Sequence, residues 1–141
     1  MADAGSVSPG CGWSAAQALG VDGLSESEVM RGIASVLKTY PRVAVALCIN
    51  SGIAKGYNGM PVAFHRLLRG RGVVTDYIGL LRDGRPFAIE AKKPDWKPAK
   101  TGTGRYLREQ EQDRYIQGTV ELGGVGGFCK SVDEAIAIIE Q

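Results

Sequence analysis

The chain has 141 residues, of which 44% are apolar and 23% charged, with a formal net charge of +2. That suffices for one domain with one core and matches an ordinary globular protein rather than a disordered or fibrous one. No stretch approaches the ~20 apolar residues that cross a bilayer. The start, MADAGSVSPG, lacks the basic and apolar regions of a secretory leader. Three cysteines (Cys11, Cys48, Cys129) without a C-x-x-C, and one histidine (His65), argue against a disulfide framework or a zinc site and point to a reducing cytoplasm.

Residues 1–24 are rich in Gly, Ala and Ser and read as a tail. Ser25 and Glu28 form a capping box. From there Val29, Ile33, Val36, Leu37 and Tyr40 recur at helical spacing until Pro41. RVAVALCI (42–49) is a β-branched apolar run, hence a strand. Residues 50–59 are turn-rich, and PVAFHRLL (61–68) fits a strand or a helix, with flanking glycines favouring a strand. TDYIGLL (75–81) and PFAIEAK (86–92) read as strands of a hairpin about Asp83-Gly84. Residues 93–104 hold two prolines and two glycines and read as a loop. A helix over 105–122 ends at Gly123-Gly124, VGGFC (125–129) is a strand, and Ser131 with Glu134 caps a last helix over 132–140. The fold class is therefore α/β, a central mixed sheet flanked by helices in a single domain over 25–141.

The hairpin carries unusual charges. Glu90 and Lys92 lie two apart on an apolar strand and so point to one face. Asp76 opens the partner strand. A two-residue turn at Asp83-Gly84 would pair Asp76 with Ala91, on the wrong face. A three-residue loop, Asp83-Gly84-Arg85, would pair it with Lys92 and bring all three charges to one face, as would a bulge near Asp76. Two carboxylates beside a lysine suit a hard divalent ion, which takes few carboxylates and completes its shell with water and phosphate. Such an ion activates a bound water, and the lysine steadies charge building on a phosphate. A solvated ion pair at a strand end is the plainer reading of E-x-K by itself.

The ordered set Asp76…Glu90-Ala91-Lys92 resembles the PD-(D/E)XK nuclease core. With SESEVMRGIASVL (25–37), INSG (49–52) and QDRYIQGTVELGGVGGFCKSVDEA (112–135), it resembles the virus-type replication-repair nuclease (VRR-NUC) branch. The resemblance implies Mg²⁺ or Mn²⁺ held by Asp76, Glu90 and the backbone carbonyl of Ala91, with Lys92 assisting catalysis. It also implies a glutamate on the first helix and a glutamine on the helix after E-x-K. Glu26 lies within the apolar face and Glu28 is used in the cap, so Glu26 is selected. Gln112 is selected because it shares an i, i+4 row with Ile116 and Val120, whereas Gln110 should face solvent. A DNA endonuclease leaving 5′-phosphate ends, a homodimer, branched DNA such as four-way junctions, and a bacterial or phage-infected cell all follow as implications. Thr75 stands where a PD motif has proline, and the insert after Lys92 is long.

Residues 66–108 carry eleven basic groups against four acidic ones. Arg66, Arg69, Arg71, Lys93 and Lys97 are candidate phosphate contacts, and Trp96 and Tyr106 candidate stacking platforms. A solvated mixed-charge surface is the alternative. GGVGG (123–127) neither follows a strand nor opens a helix, and no G-K-[ST] occurs, so no nucleotide cofactor is expected. The rival functions are a nucleic-acid-binding module that keeps the fold without cutting, and a structural or interaction protein.

Overall fold

The structure is a computed structural model and describes residues 23–49, 53–55, 61–63 and 74–141, with backbone alone for 53–55 and 61–63. Three helices and six strands occur among them: α1 (Glu26–Thr39), β1 (Val43–Cys48), β2 (Ile53–Lys55), β3 (Pro61–Ala63), β4 (Tyr77–Leu81), β5 (Pro86–Ala91), α2 (Gly104–Glu121), β6 (Val125–Cys129) and α3 (Val132–Ile139). The capping boxes set the helix starts. Ser25 accepts the Glu28 N–H while Glu28 takes the Ser25 N–H, and Ser131 accepts the Glu134 N–H.

The main sheet runs β1-β4-β5-β6, and β2 pairs with β3 in a separate two-stranded sheet. That small hairpin replaces part of the expected turn over 50–59, because three-residue strands are too short to show a period of two. The expected strand over 61–68 is shorter, ending at Ala63, and 64–68 lie outside the described residues. In the main sheet β1, β4 and β5 pair antiparallel. β6 returns parallel to β5, and a parallel return requires a crossover, which α2 supplies.

Helices cover both faces of β5. Added methyl groups show the two sides: one on Gly126 would meet Ile116 of α2 at 3.2 Å, and one on Gly127 would meet Ile138 of α3 at 2.8 Å. The main core lies on the α1/α3 side, from Val29, Ile33, Leu37, Tyr77, Leu81, Phe87, Ile89, Ala91, Val125 and Ile139. Ile116 packs on the other side. β5 is therefore buried from Phe87 to Ala91, as expected of a strand covered twice. Glu90 falls on its α2 face.

On that same face the β1–β4 half of the sheet is open, and Val45, Leu47 and Leu80 are about half exposed. Cys48 is disulfide-bonded and Cys129 is a free buried thiol. One bonded cysteine among the described residues is not the disulfide framework that the sequence argued against. Disulfides persist in oxidising surroundings, so the bond lends no support to a reducing location. No described helix is long and apolar enough to cross a membrane.

The expected row Gln112, Ile116, Val120 is corrected at its end. Glu109, Gln112, Ile116 and Thr119 are buried, while Val120 is 43% exposed. Steps of four residues drift about 40° each at 3.6 residues per turn, so the buried stripe alternates steps of three and four.

Two glycine variants of the α2 region should part in sign. Gly126→Ala would set a methyl 2.6 Å from the Ala88 carbonyl oxygen and should lower stability by about 1–3 kcal/mol in urea unfolding. Gly118→Ala, inside α2 with nothing within 4 Å, should raise it by about 0.5–1 kcal/mol.

Candidate functional site

The hairpin brings the charges together by a register that differs from the expected one. Tyr77 pairs with Ile89 and Ile78 with Ala88. One step further sets Asp76 opposite Glu90, not Lys92. The loop is three residues long, but it is Arg82-Asp83-Gly84, closed by the Leu81 N–H on the Arg85 carbonyl at 2.8 Å. Gly84 has φ +90°. A three-residue hairpin loop places its left-handed residue last, so glycine fixes where the loop closes. The parity is unchanged, and Asp76, Glu90 and Lys92 share the α2 face.

Asp76 is held from several directions. Its N–H donates to Glu90 Oε2 at 2.9 Å, and its Oδ2 accepts the Ala91 N–H at 3.0 Å. Its carbonyl accepts the Ile49 N–H at 2.7 Å. The next residue, Tyr77, is buried and donates its hydroxyl to the Met30 carbonyl of α1 at 2.7 Å. The start of β4 is thus tied to both β1 and α1.

Glu90 is 3% exposed, Lys92 8% and Gln112 1%. Gln112 reaches in from α2. Its Nε2 donates to Glu90 Oε1 at 2.6 Å, and its Oε1 accepts Lys92 Nζ at 3.1 Å. Lys92 Nζ also lies 3.5 Å from Glu90 Oε1. An amide suits this place because it donates to a carboxylate and accepts from an ammonium at once.

Burial raises both carboxyls. Asp76 is pushed up to about 6, first by loss of water and further by Glu26; the Ala91 N–H, Lys92 and Arg108 oppose the shift. Glu90 is pushed up to about 7, first by burial and then by Asp76, against the opposing pull of Lys92. Such a pair shares its protons, and a cation between the two groups would restore both charges.

The remaining expected residues divide. Glu26 is exposed at the start of α1. Its charge reaches Asp76, yet no hydrogen bond joins it to the cluster. Ala91 meets Asp76 through its N–H. Lys93 is exposed and pairs with Asp95 at 3.6 Å, and Lys97 is exposed. Arg66, Arg69 and Arg71 lie outside the described residues. Trp96 does not present itself as a free platform: it stacks on Phe128 and donates to Glu109. Among the described residues no group of three or more His, Cys, Asp or Glu side chains is placed to hold a metal. The donor set on offer is two carboxylates, which is what Mg²⁺ commonly takes from a protein.

Sequence reasoning missed Glu109 and Phe128 as neighbours of the site; Arg108, one of the basic groups of 66–108, also reaches it, since its charge acts on Asp76. The signals exist. Arg108 and Glu109 precede Gln112 by four and three residues and so share its side of the helix. Phe128 pairs with Glu90 in the β5–β6 register.

Comparison with protein-family models, curated proteins and solved structures returns no match for the chain.

The raised carboxyls have a signed consequence. Their protonated forms are favoured by folding, so stability falls as pH rises from about 4 towards about 6 for Asp76 and about 7 for Glu90. Asp76→Asn removes one of these burdens. In metal-free buffer at pH 8 it should stabilise the protein by about 1–2 kcal/mol, a gain that shrinks below pH 4. Thermal melting at the two pH values reads this directly.

Proposed function

We propose that the chain is a metal-dependent DNA endonuclease that hydrolyses phosphodiester bonds, with a PD-(D/E)XK core of the VRR-NUC kind. The observation that carries this reading is the buried network of Asp76, Glu90, Lys92 and Gln112. The mixed four-stranded sheet flanked by helices supports it at the level of fold class.

Asp76 and Glu90 would hold Mg²⁺ or Mn²⁺ with the Ala91 carbonyl. When bound, the ion would supply a polarised water and a counter-charge for the phosphate. Lys92, beside Glu90, would orient the attacking water and offer positive charge as the phosphate gains negative charge. Gln112 keeps Lys92 and Glu90 in fixed relation, so neither has to reorganise during reaction. Glu26 adds negative potential at Asp76. Lys93 and Lys97, with Arg66, Arg69 and Arg71, meet backbone phosphates, which position a duplex without reading its sequence.

The resemblance to the VRR-NUC branch favours cutting directed by DNA structure, branched DNA included. Symmetric cutting of a four-way junction takes two sites, and a homodimer supplies them.

Cleavage of labelled linear duplex, flap and four-way-junction DNA, with Mg²⁺, Mn²⁺ or EDTA, tests the proposal. Wild type should cut only with metal, and Lys92→Ala should lose about 10²-fold or more in rate. Salt-sensitive binding by both proteins, without cutting in any metal, would replace the enzyme by a binding module. Absence of both binding and cutting would leave an interaction protein.

A further inference from the structure

The loop after Lys92 is built rather than loose. Glu109 of α2 is only 7% exposed and its carboxylate gathers three donors from the loop and its own helix. Trp96 Nε1 lies at 2.9 Å, the Ala99 N–H at 2.8 Å and Arg105 Nε at 3.0 Å. Arg105 also donates to the Lys97 carbonyl. With its indole N–H fixed, Trp96 lies stacked on Phe128, ring centroids 5.2 Å apart and 23° between planes. Lys92 Nζ sits beside this pair, 5.8 Å from the Trp96 centroid and 5.5 Å from that of Phe128.

A lysine has a flexible four-carbon stem and a point charge that needs contacts on several sides to stay in one place. Glu90 and Gln112 provide the polar side. The stacked rings provide the other, since an ammonium within about 6 Å of a ring centroid is attracted to the electron-rich face. Resting on the nuclease reading above, we propose that Trp96 is a positioning residue: locked by Glu109, it holds the Lys92 ammonium against Glu90 and Gln112. The long insert then has a task, because the indole comes from inside it. Phe128 reaches the same place through the β5–β6 register.

Trp96→Leu and Trp96→Phe in the full chain separate the ring from mere bulk. Three readouts are needed: single-turnover cleavage of the preferred DNA, Mn²⁺ affinity by calorimetry, and the NMR shift of the Lys92 ε-methylene protons. Ring currents should move those protons upfield in wild type. The shift should persist in Trp96→Phe and shrink in Trp96→Leu towards what the Phe128 ring alone produces. Trp96→Leu should cut about tenfold more slowly, the size of one partly desolvated cation–π contact, and Trp96→Phe within about threefold of wild type. Mn²⁺ affinity should hold in both. Wild-type cutting by Trp96→Leu would overturn the proposal, as would joint loss of cutting, Mn²⁺ affinity and melting temperature in both variants. If wild type cuts nothing, the nuclease reading fails on that arm alone. The methylene shift then decides by itself: its reduction in Trp96→Leu but not in Trp96→Phe upholds the Trp96 contact, and an unchanged shift in Trp96→Leu refutes it.

Discussion

Glu90 is a carboxylate on a strand with helices on both faces, and it keeps only 3% of its surface in water. An unpaired charge in such a place costs several kcal/mol. The neighbouring groups meet that requirement in turn: the Asp76 N–H, the Gln112 amide and the Lys92 ammonium all point at its two oxygens. No buried side-chain nitrogen or oxygen among the described residues lacks a partner. Even so, a buried ion pair is seldom a good way to gain stability, since apolar side chains of equal volume often do better. A second carboxylate, Asp76, raised in the same pocket, makes the arrangement worse as a structural device. It becomes sensible if a divalent cation is the missing neutraliser.

The fold delivers this site through three independent pieces of backbone. Gly84 fixes the hairpin closure and so the parity that places Asp76 opposite Glu90. The parallel return of β6 forces a helix across the sheet, and that helix brings Gln112 onto the charges twenty residues after Lys92. The Tyr77 hydroxyl on the Met30 carbonyl ties the Asp76 end of β4 to α1, which sets Glu26 within electrostatic reach.

Much of this could be read from the residues. The capping boxes at Ser25 and Ser131, the β-branched run at 43–48 and the helix stop at Gly123 each leave a local chemical signature, and the elements they mark lie within a residue or two of their expected ends. Gln112 was legible because helical geometry put it on the buried side. The register was legible only in parity. Placing the loop at 83–85 put glycine in its middle, whereas the left-handed position is the last, which moves the pairing by two residues. β2 is too short for a pattern to emerge, and β3 is a shorter strand within the one expected over 61–68. The Glu109 clamp was least legible, because a glutamate on a charged helix looks like a solvated face until the loop that it holds is known. For Arg66, Arg69 and Arg71 the described residues offer no comparison.

The central claim is that Asp76 and Glu90 form one divalent-cation site. Crystals grown with Mn²⁺ would test it most directly through the anomalous scattering of the metal. The account predicts one strong peak between the Asp76 and Glu90 carboxylates, within about 2.0–2.5 Å of an oxygen from each. A map with no peak there at saturating Mn²⁺, or with metal only at other surface carboxylates, would contradict it.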